Sequence, residues 1–169
     1  MSIQDKLNVK IMPGRISLQP NRRLASSLKW YAIIAVVTGL FLAIFYSRLG
    51  EGPVVLCSAL IIYLVIQGLI DYIFRYNVRY EFDKATNAVY KENPPFGKKQ
   101  LMRLDEVVIF TKSESGDWYY AMGVKKKQFL KNYKISPGFD NGKASAVRVA
   151  EFEEGILNPI VALLPAAAH

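Results

Sequence analysis

Two apolar stretches decide the fold of this chain: WYAIIAVVTGLFLAIFY at Trp30–Tyr46 and VVLCSALIIYLVIQGLIDYIF at Val54–Phe74. The first contains no charged residue, and the second contains none before Asp71. Because a helix rises roughly 1.5 Å per residue, a helix of about 17 residues covers about 26 Å, the short end of a membrane span. Only Ser47–Pro53 separates the two stretches. The sequence therefore predicts a hairpin of two transmembrane helices.

Aromatic residues at the ends of both stretches favour the same interpretation. Trp30, Tyr31, Tyr46 and Tyr72 lie where amphipathic rings prefer the headgroup layer of a bilayer. The alternative is a pair of buried helices in a soluble protein, which would need a large shell of other elements to cover them. A chain of 169 residues provides one hairpin and one small domain, so we favour the membrane hairpin.

Small residues form a stripe along the first stretch. Ala35, Gly39 and Ala43 recur every four residues and are expected on one helix face, where they permit close approach of another helix. The short connector makes the seam between the two spans the first interpretation. Dimerisation, or binding of a helix from another protein, would use the same stripe.

Four polar residues are predicted near one membrane face. Lys29 opens the first span and Asp71 closes the second, so an antiparallel hairpin brings them to a similar depth. We expect ion pairs between Lys29 and Asp71, and between Asp71 and Arg75 at helical i,i+4 spacing. Gln67 lies about one turn deeper, and we interpret it as a hydrogen-bonding contact between the helices.

The distribution of charge predicts the orientation of the hairpin. The formal net charge is +8, and residues 1–29 hold six Lys/Arg against Asp5 alone. The connector holds one charge of each sign, Arg48 and Glu51. The positive-inside rule then places both termini in the cytoplasm and the connector outside. The late start of the first stretch, with no small-x-small site after it, argues against a cleavable signal peptide.

The basic N-terminal arm, residues 1–29, leaves two possibilities open. Met12–Arg15 contains Pro and Gly and predicts a turn between short extended pieces at Asn8–Ile11 and Ile16–Leu18. One of these pieces would add a strand to the domain that follows the hairpin. An unstructured leader is the alternative.

Residues 76–164 are predicted to form a β domain. Val78–Asp83 alternates apolar and charged residues with period two, which indicates a half-buried strand. Asn93–Gly97 contains two prolines and breaks the strand pattern, and Leu101–Leu104 is a candidate short strand. The other predicted strands are rich in β-branched and aromatic residues: Ala88–Lys91, Glu106–Lys112, Asp117–Val124 and Gln128–Ile135.

A helix is predicted after the strands, at Lys143–Leu157. Val149, Phe152 and Ile156 share one of its faces, and Asn158-Pro159 is expected to end it. Residues 165–169 are interpreted as a remnant of cloning and an affinity tag. The predicted fold is thus α+β: a transmembrane hairpin at residues 30–75, with spans at 30–46 and 54–74, and a β domain with a C-terminal helix.

One stretch resembles a known family. Tyr80–Tyr90 (YEFDKATNAVY), directly after a two-helix hairpin, looks like the strand–turn–strand opening of bacterial membrane-anchored domains with a pleckstrin-homology-like (PH-like) fold. Leu104–Val107 (LDEV) resembles the next strand entry in such proteins, and the resemblance covers about residues 78–157. Small proteins of this build are often encoded beside type VI secretion effectors. The resemblance implies a bacterial inner-membrane protein with a cytoplasmic PH-like domain and an immunity or accessory role.

The residue inventory argues against an enzyme. The sole histidine is His169, in the interpreted tag remnant, so histidine-based acid–base catalysis and triads lack a base. The only cysteine, Cys57, lies within the second span, which excludes a thiolate metal site or an intrachain disulfide. Gly97-Lys98-Lys99 lacks the upstream glycine and the Ser/Thr of a phosphate-binding loop. We expect no catalytic residue, metal or cofactor.

Lysines supply the remaining candidate surface. One cluster contains Lys98, Lys99 and Arg103, and a second contains Lys125, Lys126, Lys127, Lys131 and Lys134. Juxtamembrane lysines are attracted to anionic lipid, although solvated turns that enforce topology are an alternative explanation. Nucleic acid is not expected, because Trp118–Tyr120 is not interleaved with basic residues as a stacking platform would be.

Two functional hypotheses follow from the sequence. The first is a non-enzymatic binding protein that neutralises or chaperones a membrane-active protein partner, such as a toxin or effector. The second is a membrane-surface sensor or scaffold that binds anionic lipid through its lysines. Membrane lipids are expected partners in both cases, and a homo-oligomer is compatible with either.

Overall fold

The protein is described here from a computed structural model, which covers residues 2–125 and 131–165. The chain divides into two units: a helical hairpin, Arg23–Tyr76, and a β domain built from the residues before it and after it. The described residues are α+β, with two long apolar helices, eight strands in two sheets and a C-terminal helix. The predicted α+β class is therefore confirmed.

The two apolar stretches form the helical hairpin. Helix α2 spans Leu24–Phe45 and helix α3 spans Glu51–Asp71. Between them a 3-10 turn covers Tyr46–Arg48, so only Leu49 and Gly50 lie outside helical turns. A π-helical turn at Tyr72–Tyr76 ends the second helix. Both helices are long and apolar enough to span a membrane.

The two helices pack along a seam with alternating spacings of three and four residues. This 3,4 pattern keeps a contact row on one side of a helix, whereas a strict spacing of four drifts around it. In α2 the half-buried row is Leu28, Tyr31, Ala35, Thr38 and Leu42. In α3 the buried and half-buried row is Val54, Cys57, Ile61, Leu64, Gly68 and Asp71.

The N-terminal arm is part of the β domain, which decides between the two possibilities that the sequence left open. It forms a short helix α1 (Ile3–Lys6) and the strands β1 (Lys10–Met12) and β2 (Arg15–Leu18). Strand β2 pairs with the first strand after the hairpin, so that Ile16 lies opposite Phe82 and Leu18 opposite Tyr80. The arm ends at Arg22 rather than Lys29, because α2 begins at Leu24.

The first sheet is antiparallel, with strand order β1-β2-β3-β4-β5. Strand β3 spans Arg79–Asp83, β4 spans Ala88–Asn93 and β5 spans Gly97–Arg103. The break predicted at Asn93–Gly97 is a tight turn between β4 and β5. Pro94 and Pro95 lie in this turn, outside the β4–β5 pairing, so they interrupt neither strand. The first three residues of the candidate strand at Leu101–Leu104 are the end of β5, whereas Leu104 begins a 3-10 turn (Leu104–Glu106).

The second sheet is antiparallel, with strand order β6-β7-β8. Its strands are β6 (Val107–Glu114), β7 (Asp117–Val124) and β8 (Asn132–Lys134). The predicted span of β7 agrees with the structure, and β6 is shifted by one or two residues. The strand predicted at Gln128–Ile135 is shorter, and its first three residues lie outside the described part of the chain.

The last described elements form a helical segment that packs on both sheets through one apolar face. Helix α4 (Lys143–Phe152) continues through a π-helical turn (Glu153–Leu157) into α5 (Asn158–Leu163). The expectation that Asn158-Pro159 ends the helix is wrong. Pro159 falls in the first turn of α5, where its missing N–H and fixed φ are tolerated.

One hydrophobic core joins the arm, the two sheets and the C-terminal helices. The sheets contribute Leu18, Phe82 and Met122, and the helices contribute Phe152, Ile156 and Ile160, all fully buried. Ile3 and Leu7 of the arm belong to the same core. The arm is thus a structural part of the domain and not an appendage.

Candidate functional site

A network of paired charges lies on the face of the five-stranded sheet that points away from the core. Alternation along β3 directs Tyr80 and Phe82 into the core and Glu81 and Asp83 to the other face. Both carboxylates are nevertheless buried, and the long side chains of Arg15 and Lys98 contact them. We call Arg15, Glu81, Asp83 and Lys98 the carboxylate cluster.

Each charge of the carboxylate cluster has a partner of opposite sign. Arg15 Nη2 lies 2.8 Å from Asp83 Oδ2, and Arg15 Nε lies 3.1 Å from Glu81 Oε1. Lys98 Nζ lies 3.1 Å from the same Glu81 oxygen and 4.2 Å from the centroid of the Tyr90 ring. The cluster therefore joins β2, β3 and β5 across one face, and its internal pairing suits it to structure rather than to acid–base chemistry.

Burial raises the pKa of Asp83, but its hydrogen bonds and the Arg15 charge act in the opposite direction. Arg15 Nη2 and the backbone N–H of Ala85 both donate to its carboxylate. The net effect lowers the pKa of Asp83 below its ordinary value of 3.8. Asp83 therefore stays ionised at neutral pH and cannot act as a general acid there.

Two tyrosines, the buried Tyr80 and the half-buried Tyr120, stay neutral at physiological pH. Burial, with a smaller contribution from Tyr133, raises the pKa of Tyr80 far above its ordinary value. Burial, together with the hydrogen bond to Glu153 and the charge of Glu153, raises the pKa of Tyr120 to about 12. Neither phenol offers a phenolate nucleophile at physiological pH.

The first predicted lysine cluster does not form a common surface. Lys98 and Lys99 are consecutive in β5 and point to opposite sides of the sheet. Lys98 is engaged in the carboxylate cluster, and Arg103 is paired with Asp105. Lys99 lies opposite Lys91 in the β4–β5 ladder.

The second predicted lysine cluster is only partly described. Lys125 and Lys131 are exposed, whereas Lys126 and Lys127 lie outside the described residues. Lys134 is half-buried, and its Nζ lies 4.2 Å from the centroid of the Tyr119 ring.

The polar residues at the end of the hairpin are partly brought together. Asp71 is 3% exposed. Its carboxylate accepts from Arg75 Nη1 at 3.1 Å and from Gln67 Nε2 at 3.4 Å. Lys29 is exposed, and no ion pair within 4.0 Å joins it to Asp71. Gln67 thus bonds to its own helix, not across the hairpin as expected.

The predicted small-residue stripe follows the seam only in part. Ala35 and Gly39 are half-buried, but Ala43 is exposed, and a Cβ placed on Gly39 would meet no atom within 4 Å. The glycine at the seam is Gly68 in α3, where an added Cβ would lie 3.8 Å from Tyr31 Cδ2. The spacing of four explains the difference, because each step of four residues rotates about 40° past a full turn.

Two shallow depressions lie on the described surface. One of about 330 Å³ is lined by Ser2, Gln4, Glu151, Glu154 and Gly155, and one of about 430 Å³ by Thr111, Lys112, Ser113 and Trp118. In the first, the side-chain amide of Gln4 donates to the Gly155 carbonyl in the π-helical turn at 2.8 Å. This depression marks the place where the arm docks on the C-terminal helix.

Sequence reasoning missed the carboxylate cluster, and it predicted an extended piece at Asn8–Ile11 without placing it as the edge strand β1. Glu81 and Asp83 alternate with core residues, which places them on one face, but their cations come from β2 and β5, far apart in sequence. Ile11 and Met12 on β1 are exposed apolar residues in a strand that the sequence left undecided.

Comparisons with known proteins find no matching protein-family model, no matching curated protein and no matching solved structure.

Proposed function

We propose that this chain is a membrane-anchored, non-enzymatic binding protein whose β domain recognises a protein partner at the membrane surface. The hairpin spans the bilayer of a bacterial inner membrane, with both termini in the cytoplasm. The partner is a membrane-active protein, such as a toxin or effector, that this protein neutralises or chaperones. The proposal rests on the surface of the hairpin, the pairing of the charges in the β domain, and the resemblance of Tyr80–Tyr90 to membrane-anchored PH-like domains.

The observation that carries the membrane anchoring in this proposal is the exposure of the hairpin. In the most apolar windows of its two helices, 0% and 6% of the residues are buried. A core helix of a soluble protein buries most of such a window, and a soluble monomer rarely exposes a continuous apolar surface of this size. A bilayer covers it without further protein.

Charge supports the proposed orientation. Arg22, Arg23 and Lys29 flank or open the first helix, and Arg75 and Arg79 follow the second. The connector carries Arg48 and Glu51, which balance each other. The side with the excess of cations is the cytoplasmic side by the positive-inside rule.

The short connector limits where a partner can bind. With Leu49 and Gly50 alone outside helical turns, the outer side of the hairpin offers far less than the roughly 800 Å² per partner of a standard interface. Recognition then falls to the β domain, to the lipid-facing sides of the helices, or to both. Three of the cations expected at a lipid-binding face, Lys98, Arg103 and Lys134, are instead engaged within the domain, which favours a protein partner over lipid.

Membrane fractionation and reporter fusions test the anchoring. The full chain should resist extraction by alkaline carbonate, and reporters fused at Gly50 and at Leu164 should report opposite sides of the membrane. Reporters on the same side, or release by carbonate, would refute the transmembrane hairpin.

Growth protection tests the binding role. Cells that produce a pore-forming effector encoded beside this chain's gene should survive when the chain is also produced, and survival should require stoichiometric protein. Unchanged killing, with the chain correctly inserted, would exclude neutralisation of that effector.

A further inference from the structure

The outer edge of the five-stranded sheet is the three-residue strand β1, which among the described strands pairs only with β2. Ile11 and Met12 are 51% and 53% exposed. Among the described strand residues, these are the large apolar side chains that are exposed. The other large apolar side chains exposed in the described β domain lie in a turn (Phe96) or on helices (Val147 and Val161).

The backbone of Ile11 faces outwards. A two-residue turn, Pro13-Gly14, connects β1 to β2, and the positive φ of Gly14 (+74°) suits the third position of a type II turn. The closing pair of such a hairpin, Met12 and Arg15, exchanges both hydrogen bonds, and antiparallel pairing then alternates. Ile11, opposite Ile16, is therefore in a non-hydrogen-bonded pair. Its N–H and C=O point away from β2 and bond to no described residue.

The free charge along this edge is positive. Lys10 is exposed on β1, and Lys84 is exposed beside the β1–β2 turn, where its backbone N–H donates to the Gly14 carbonyl at 2.9 Å. Neither lysine has a carboxylate within 4.0 Å among the described residues. The nearby carboxylates, Glu81 and Asp83, are already paired with Arg15 and Lys98.

We propose that the edge of β1 binds an extended acidic segment of a protein partner, which adds a sixth strand to the sheet. The segment's backbone bonds to the N–H and C=O of Ile11, as in other cases of strand addition. One of its apolar side chains covers Ile11 on the core side of the sheet, and its carboxylates lie beside Lys10 and Lys84. This inference deepens the proposed function, because it names the form and charge of the partner's binding segment.

A protected edge would look different. Short strands and lysines do protect sheet edges against unwanted pairing, and β1 has both. Protection, however, does not call for two exposed apolar side chains beside an unpaired N–H and C=O. An acidic segment gains from both features, because the lysines that repel other basic edges attract its carboxylates.

A fluorescent peptide tests this proposal on the full chain in detergent micelles. The probe is a fluorescein-labelled heptapeptide of alternating Glu and Val, and anisotropy at low ionic strength measures its binding. We expect saturable binding that is about tenfold weaker for the matching Lys/Val peptide, as charge complementarity requires. Lys10→Glu should reduce this preference for the acidic peptide.

The decisive variant is Ile11→Pro. Proline removes the outward N–H without removing a bond to β2, and edge strands tolerate proline at such positions. We expect binding of the acidic peptide to weaken by about tenfold or more, whereas Ile11→Val, which keeps the N–H and an apolar side chain, stays within about threefold of wild type. Circular dichroism must show that Ile11→Pro retains the β-sheet signal. If Ile11→Pro does not fold, Ile11→Ser provides a second test. It keeps the N–H but has less apolar surface, so its binding of the acidic peptide should be intermediate.

Other outcomes would overturn the proposal. Equal binding to wild type and folded Ile11→Pro would mean that the peptide follows only the +8 charge of the chain. No saturable binding would exclude strand addition of this kind, and a wild-type dimer that Ile11→Pro makes monomeric would assign the edge to a second copy. In each case carbonate extraction and growth protection by the same variants report separately on the proposed function.

Discussion

Arg15 on β2 donates through Nη2 to Oδ2 of Asp83 on β3 at 2.8 Å. This pair ties the N-terminal arm to the strand that follows the hairpin. Asp83 is buried, and the Arg15 side chain is 50% exposed. The Asp83 carboxylate is thus shielded from solvent, whereas the Arg15 guanidinium that binds it still contacts solvent.

Arg15→Gln is expected to destabilise the β domain. It removes the charge that faces Asp83 and Glu81 and leaves two buried carboxylates close together with Lys98 as their remaining cation. We expect a loss of about 1–3 kcal/mol in the free energy of unfolding, below the value for a fully buried pair because solvent screens Arg15. Arg103→Gln is the matched control: its pair with Asp105 is more exposed and should cost about 0–1 kcal/mol. Denaturant unfolding of the full chain measures both, and equal losses would contradict the structural role of the cluster.

The same pair predicts an acid limb of stability. Because the pKa of Asp83 is lower in the folded domain than its ordinary value of 3.8, the folded state favours the ionised form. The resulting stabilisation is fully present above the unfolded pKa, which is the ordinary value of 3.8, and is lost as pH falls through the lower folded pKa. Denaturant unfolding from pH 6 down to pH 2 should show this loss in wild type, and Arg15→Gln should flatten it. An identical acid limb in both proteins would assign the loss to other carboxylates.

The sequence predicted the elements whose pattern is local. The alternation of Val78–Asp83 identified β3, and the apolar stretches identified both long helices. The predicted helix end at Asn158-Pro159 was wrong because a proline in the first turn of one helix and a proline that follows the end of another look alike in sequence. The π-helical turn at Glu153–Leu157, through which α4 continues into α5, leaves no clear mark in the sequence.

The carboxylate cluster and the role of the arm depend on long-range pairing. Arg15 and Asp83 are 68 positions apart in sequence, and the whole hairpin lies between them. Ile16 and Leu18 showed only that the arm contains a short extended piece. Which sheet it would join follows from the complete fold and not from local propensity.

Two glycines of the hairpin should respond differently to the same substitution. An added Cβ at Gly68 lies 3.8 Å from Tyr31 Cδ2, so the larger side chain of Gly68→Ile would collide with the ring. We expect a loss of about 1–3 kcal/mol in hairpin stability, as is typical of overpacking. Gly39→Ile makes the same change where no atom lies within 4 Å and should have little effect. Titration of detergent-solubilised protein with SDS compares them, and a larger loss at Gly39 would place the seam on the small-residue stripe.

Residues 76–164 alone are expected not to fold. The fragment lacks β2, which covers one edge of β3, and it lacks the buried side chains of Ile3, Leu7, Ile16 and Leu18. Full burial of an aliphatic side chain contributes about 1.5–3 kcal/mol, so the missing contacts exceed much of the stability of a small domain. Circular dichroism and proteolysis of the purified fragment provide the measurement. A protease-resistant fragment with a cooperative melt would show that the arm is dispensable.

Replacing the hairpin while keeping both flanks separates the two places where a partner can bind. Because the β domain uses residues on both sides of the hairpin, the chimera must keep residues 1–22 and 77–165 and exchange only residues 23–76 for an unrelated two-helix anchor. Recognition by the β domain predicts that this chimera protects cells against the partner as well as the wild type does. If the partner instead binds the helices within the bilayer, the chimera should lose protection even though it inserts and its β domain is folded. Ile11→Pro in the chimera is the matched control, because an edge-bound partner requires β1 whichever helices anchor the domain. Protection by the chimera that Ile11→Pro abolishes would locate recognition at the sheet edge, and loss of protection by the folded chimera would move it to the helices.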